Sequence, residues 1–152
     1  MQIKEYLFHP DKEGIDSNKI ENVRDTLKAY VLPEKIKSKD IRAELLKELG
    51  SQGWSNAVRI DQRSRISITS VLNDIGLCLQ TGNVSRYYAD LIKLETAYKN
   101  KVISGAIYII PTKNWANKLG DNIANFERFI DELTIFKETI TIPMVVFGLQ
   151  GE

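Results

Sequence analysis

Ile75-Gly76-Leu77-Cys78-Leu79-Gln80, closed by Thr81-Gly82-Asn83, sets the centre of the fold. It follows an Asn73-Asp74 turn and is apolar enough to be a buried strand. Side chains alternate along a strand, so Cys78 and Gln80 share one face. The Thr-Gly-Asn break stops the strand, and a helix is expected over 84–100, carrying Tyr88, Leu91, Ile92, Glu95 and Tyr98. A strand leading through a short polar turn into a long helix starts a crossover unit.

The chain upstream is also β-rich. Residues 57–61 read as a short extended piece, and 65–72 alternates Ile66 and Ile68 with Ser67 and Thr69. Downstream, 102–110 is almost continuously apolar and stops at Pro111, the pattern of a strand covered on both faces. Helical segments follow over 113–119 and 122–136, then a last buried strand over 143–149. Towards the N-terminus, 2–8 is a candidate strand. Ile20, Val23, Leu27 and Tyr30 recur at helical spacing behind a Ser17/Asn18 cap, ending before Pro33. Ser38 is expected to cap a second helix with Ile41, Leu45, Leu46 and Leu49 on one face and Gly50 as its stop. The fold class is α/β, a central mixed sheet flanked by helices, with one domain over 1–152.

The totals narrow the chemistry. A chain of 152 residues, 43% hydrophobic and 27% charged, can bury a core without disulfides or a structural metal. Cys78 is the lone cysteine and His9 the lone histidine, which excludes an internal disulfide, a multi-cysteine zinc site and most histidine-based catalysis. The N-terminal residues carry charge too early for a signal peptide, and no run approaches the roughly 20 apolar residues of a membrane span. A reducing cytoplasm is the expected compartment. Net charge is +1, so any affinity for nucleic acid must come from local placement of cations. One dense spot surrounds Asp61 with Arg59, Arg63 and Arg65.

Metal-assisted phosphodiester hydrolysis needs hard oxygen ligands for Mg²⁺, a group to orient the attacking water, and positive charge near the phosphate. Asp61 stands at the end of a short strand among three arginines, sensible beside phosphate, and Cys78 and Gln80 share one face of a later strand. An ordinary surface ion pair is the simpler reading of Asp61. Cys78 as a nucleophile fails on its surroundings. His9 is remote in sequence, and Val84 stands where a Cys-x5-Arg phosphatase loop needs arginine. No Gly-rich phosphate loop is present. Trp54 and Trp115 are read as core, and Arg86 is the candidate phosphate contact on the helix after the strand.

The spacing from Asp61 to Cys78, followed by Leu79-Gln80-Thr81-Gly82-Asn83-Val84-Ser85, resembles the BamHI/BglII group of type II restriction endonucleases. That family, of the PD-(D/E)xK fold, carries Asp, then Glu-x-Glu or Glu-x-Gln on a strand, then a Gly/Asn turn opening a helix. The likeness needs no gap between Asp61 and Ser85. It continues through 106–111 and 113–127, covering roughly residues 40–149.

The resemblance implies a homodimeric endonuclease that cuts double-stranded DNA with Mg²⁺ or Mn²⁺, pairing through helices 84–100 and 122–136. It implies that Asp61, the Leu79 carbonyl and Glu44 serve the metal and that Gln80 orients the water. Asn83, Ser85, Asp121 and Asn122, with Arg63 and Arg86, would meet DNA. Two positions depart from the pattern. Asn122 stands where an arginine would read a base, and Cys78 stands at a metal-binding Glu. A thiol is a soft ligand, poorly matched to Mg²⁺. Either Glu44 or Glu95 replaces that Glu, or the chain is a catalytically degenerate DNA-binding or assembly protein on the same fold. Asp74, roughly 13 Å away along the strand, is too far to do so. A third reading, favoured by the near-neutral charge, is an interaction module without nucleic acid.

Overall fold

A computed structural model describes residues 1–32 and 37–151. The elements are β1 (Gln2–Phe8), α1 (Ser17–Ala29), α2 (Ser38–Ser51), β2 (Val58–Arg59), β3 (Ser67–Ile68), β4 (Ser70–Leu72), β5 (Ile75–Leu79), α3 (Arg86–Lys99), β6 (Gly105–Pro111), α4 (Lys113–Leu119), α5 (Phe126–Ile135) and β7 (Met144–Gln150). The main sheet has the order β1-β7-β6-β5-β4, and β2 and β3 form a separate hairpin. Strands β5, β6 and β7 are parallel, whereas β1 and β4 close the edges antiparallel. The sheet is mixed and helix-flanked, as its sequence pattern predicts.

Alternation along β5 divides the core. Ile75, Leu77 and Leu79 face one side, with Val23 and Leu27 of α1 and Ile41, Leu45 and Leu49 of α2. Cys78 faces the other, with Tyr108, Leu91 and Leu94 of α3 and Phe129 and Leu133 of α5. The crossover helices α3 and α5 both lie on this second face, while Trp115 of α4 packs on the first. Two crossovers of one hand advancing in the same direction across a sheet require that arrangement. Leu77 pairs with Ile107 and Cys78 with Tyr108, so Tyr108 is in register beside Cys78.

Several boundaries differ from expectation for local reasons. Asp16, not Ser17 or Asn18, caps α1: its carboxylate accepts from the Asn18 N–H at 2.8 Å. Pro33, the expected limit of that helix, lies outside the described residues. Lys37 precedes α2 without a side-chain cap, and Ser38 is already helical. Gly50 stays inside α2, and Gly53, at φ +99°, makes the stop instead. The Trp54 N–H reaches the Leu49 carbonyl and the Gly53 N–H the Gly50 carbonyl, the paired bonds of a Schellman motif. Residues 83–85 form a side-chain turn before α3. Residues 122–125 are irregular, with Asn125 capping α5 through the Arg128 N–H at 3.0 Å.

Candidate active site and nucleic-acid interface

Where β5 ends, the ladder continues one bond further, from the Gln80 N–H to the Ile109 carbonyl at 2.9 Å. The Gln80 side chain is thereby fixed on the α3 side. Its Nε2 donates to Asp90 Oδ2 at 2.8 Å, and its Oε1 accepts from the Gly82 N–H at 3.1 Å. The Tyr108 hydroxyl donates to the same Asp90 oxygen at 2.7 Å. Burial pushes the Tyr108 hydroxyl well above its ordinary pKa, and the Asp90 charge adds to that, so the group remains a donor.

From the opposite side, α2 delivers Arg42. Its guanidinium donates to the Leu79 carbonyl and, at 3.4 Å, to Thr69 Oγ1. Thr69 also accepts from the Leu79 N–H at 3.4 Å. A cleft of about 370 Å³ opens over these groups. Lys39, Arg42, Arg86 and Lys93 line it against the single carboxylate of Asp90. A second cavity of about 350 Å³ continues it, sharing Arg42, Thr69, Asp90 and Lys93.

The residues expected to serve a metal are dispersed. Gln80 and the Leu79 carbonyl line the cleft, but Asp61 and Glu44 do not. Asp61 lies in the β2–β3 turn, where its carboxylate accepts from the Arg63 backbone N–H at 2.7 Å and from the Arg63 guanidinium at 3.1 Å. Those bonds hold its carboxyl below the ordinary range. It borders a different groove, with Ile60, Ile66 and Ile92. Glu44 is exposed on α2 and accepts from the Tyr30 hydroxyl. Glu95 accepts from the Thr141 and Ile142 N–H groups, at 2.7 and 2.9 Å, so it does not stand in for a ligand at Cys78. Asp74 accepts from the Ser104 hydroxyl at 2.5 Å. Cys78 itself is sealed in the core, where burial pushes its thiol up to about 12, with the Asp90 charge acting in the same sense.

A hard divalent cation needs several oxygen ligands that converge. Here the Leu79 carbonyl already accepts from Arg42, one carboxylate faces the cleft, and Cys78 is a protonated thiol beneath it. Among the described residues, no three His, Cys, Asp or Glu side chains form such a cluster. This donor set does not fit Mg²⁺.

The residues expected at DNA mostly converge. Asn83 bridges Ile123, the Val84 N–H meets the Asn122 carbonyl at 2.8 Å, and the Ala124 N–H meets the Gly82 carbonyl at 2.9 Å. These bonds stitch the start of α3 to the loop before α5. Asn83, Ser85 and Arg86 therefore lie beside Asp121 and Asn122. Asn83 Oδ1 accepts from the Ser85 N–H at 2.9 Å and the Ser85 hydroxyl at 2.8 Å. A polar cavity of about 310 Å³ next to them is lined by Asn117, Asp121, Asn122, Asn125 and Arg128. Arg63 is apart, on the hairpin with Asp61.

Sequence reasoning missed Arg42, Thr69 and Asp90. A signal existed for Asp90: Arg86, Asp90 and Lys93 recur at helical spacing on one face of α3, directly after the Gln80 turn. Thr69 carried none beyond strand alternation.

Type II restriction enzyme OkrAI of Oceanobacter kriegii is 25% identical over 107 residues, which cover 66% of this chain and 55% of that protein. The chain thus spans about half the length of that curated relative. The crystal structure of restriction endonuclease BglII complexed with a DNA 16-mer superposes with a TM-score of 0.85 at 16% identity, covering 100% of this chain and 79% of that one. Free BglII gives 0.74 at 17% identity, covering 100% and 81%. The family model for restriction endonuclease BamHI matches residues 1–150, and the chain belongs to that family.

Proposed function

We propose that this member of the BamHI family binds double-stranded DNA through the edge that runs from the β5 cleft to the Asn83–Asn122 bridge. One observation carries the reading: four cations face a single carboxylate at the end of β5, in a chain whose net charge is only +1. Such local excess draws in phosphate, which positions a protein on duplex without reading sequence. The adjoining amides of Asn83, Asn117 and Asn122 have the chemistry to meet base edges. The likeness to BglII, solved in complex with a DNA 16-mer, supports DNA as the partner. The expected result is salt-sensitive binding of a short fluorescent duplex, read by anisotropy. Absence of binding at low salt would sink the reading and favour a module with no nucleic-acid role.

A second reading, endonuclease activity with Mg²⁺ or Mn²⁺, is favoured by membership of the restriction endonuclease BamHI family and not by the cleft's donor set. Nicking of supercoiled plasmid by the unaltered protein, lost in Asp90→Ala, supports it. Loss in Asp61→Ala instead would return the role to the hairpin, as the family resemblance implies. Plasmid that stays intact with either metal leaves a DNA-binding protein on a nuclease scaffold. Dimerisation through α3 and α5 belongs to the same proposal and is supported by Ile92 and Ile135, exposed on those helices. Sedimentation at micromolar concentration checks it; a monomer for wild type and for Ile92→Asp alike counts against it. No helix among the described residues is long and apolar enough to cross a membrane.

A further inference from the structure

The carbonyl at the end of β5 already has a cation on it. Arg42 donates one guanidinium N–H to the Leu79 oxygen and another to Thr69 Oγ1. A guanidinium carries five N–H donors in a rigid fork, and these two bonds use two of them. Arg86 reaches in from the α3 side. Its guanidinium lies over Gly82, where an added Cβ would sit 3.2 Å from Arg86 Nη1. Lys93, one turn beyond Asp90, lines the same space. Asp90, held by Gln80 and Tyr108, is the one carboxylate against four cations, so the cleft carries a net positive charge.

We propose that this cleft is a phosphate seat with a built-in cation: Arg42 occupies the place against the Leu79 carbonyl that a divalent ion would need. The ligand is a phosphodiester oxygen of duplex DNA, received by Arg42, Arg86 and Lys93 without divalent metal. The inference rests on the DNA-binding reading above. It adds that binding is indifferent to Mg²⁺ and passes through Arg42. A planar fork suits a phosphate's oxygens better than a point charge, which is why arginine rather than lysine matters at this position.

The test uses the full chain and two probes. Duplex binding by anisotropy, at constant ionic strength, is compared in EDTA and in Mg²⁺. Inorganic phosphate is titrated in EDTA while the amide resonances of residues 79–82 are followed by NMR. Wild type is expected to bind duplex equally, within about twofold, in both buffers. Arg42→Ala is expected to weaken binding by about tenfold and to lower the slope of log affinity against log salt by about one. Arg42→Lys recovers part of the loss. Phosphate shifts the 79–82 amides in wild type but not in Arg42→Ala. Thermal unfolding reports whether that variant is folded, and Arg86→Ala, at an exposed position, gives a second route to the same weakening. The proposal is overturned if chelation abolishes duplex binding, if Mn²⁺ broadens the 79–82 amides at stoichiometric concentration, or if Arg42→Ala and Arg86→Ala bind both probes as wild type does. Phosphate binding without duplex binding would remove the DNA reading and leave the seat. Loss of both probes in wild type would remove the two together.

Discussion

Asp90 and Tyr108 meet at 2.7 Å, a hydroxyl from the middle strand of the sheet donating to a carboxylate at the cleft. Tyr108 is fully buried, so its hydroxyl has no solvent to turn to. Removing the acceptor by Asp90→Ala leaves a buried donor unsatisfied, at a cost of about 1–3 kcal/mol. Tyr108→Phe in that background removes the stranded hydroxyl and is expected to recover part of the loss. Urea unfolding of the four proteins in this cycle measures the coupling, and strict additivity would show that the bond contributes nothing.

Cys78 gives the cleft a pH signature. Its thiol is pushed up to about 12 from 9.0 by burial first and by Asp90 next. The folded chain therefore holds this proton more tightly than the unfolded chain does. Its stabilising contribution is complete below pH 9 and is lost as pH rises towards 12. Tyr108, also shifted upward, acts in the same direction. Cys78→Ala should thus flatten the alkaline fall in stability by up to about 1.4 kcal/mol per pH unit in that window. Equal slopes for the two proteins would refute the assignment. Below pH 9 the native thiol should also resist disulfide reagents.

The sequence carried the sheet more clearly than the site. Alternation in 75–80 and the unbroken apolar runs of β6 and β7 reflect burial on two faces, which leaves a mark at every residue. Helix ends were less legible because a cap is one bond: Asp16 rather than Ser17, Gly53 rather than Gly50. Asn83, Ser85, Asp121 and Asn122 were assigned to DNA by family resemblance, and backbone bonds between Gly82–Val84 and Asn122–Ala124 bring them together. Arg42 and Thr69 were invisible for the opposite reason. They meet Leu79 across 37 and 10 residues of chain, and nothing local requires an arginine or a threonine there.

Glu95 has a structural task that is open to direct measurement. Its carboxylate accepts from the Thr141 N–H at 2.7 Å, the Thr141 hydroxyl at 2.9 Å and the Ile142 N–H at 2.9 Å, just before β7. Glu95→Ala leaves those donors without an acceptor beside a buried Ile142, and a loss of about 2–4 kcal/mol is expected. Glu95→Gln keeps an oxygen and should lose less. The chain with Glu95→Gln is expected to bind duplex as wild type does, because residue 95 lines neither of the two joined cavities. A large loss of DNA affinity in a folded Glu95→Gln protein would return this acid to the site.

Restoring a family-like carboxylate at Cys78 is expected to fail, and the reason is geometric. Residue 78 points into the core with Tyr108 and Leu91, not into the cleft, and is 1% exposed. Cys78→Glu buries a carboxyl among apolar groups, so the variant should lose about 3 kcal/mol or more at neutral pH and gain no metal affinity. Thr69 is the better position. It touches the Leu79 N–H and Arg42 and lines both cavities with Asp90. Thr69→Asp combined with Arg42→Ala would place a second carboxylate across from Asp90 and uncover the Leu79 carbonyl, giving three oxygen donors of the kind a hard cation takes. Calorimetric titration with Mn²⁺ is expected to show binding to this double variant and none to wild type or to Cys78→Glu. Binding to Cys78→Glu but not to the double variant would mean that the cation place lies beneath β5 rather than at its end.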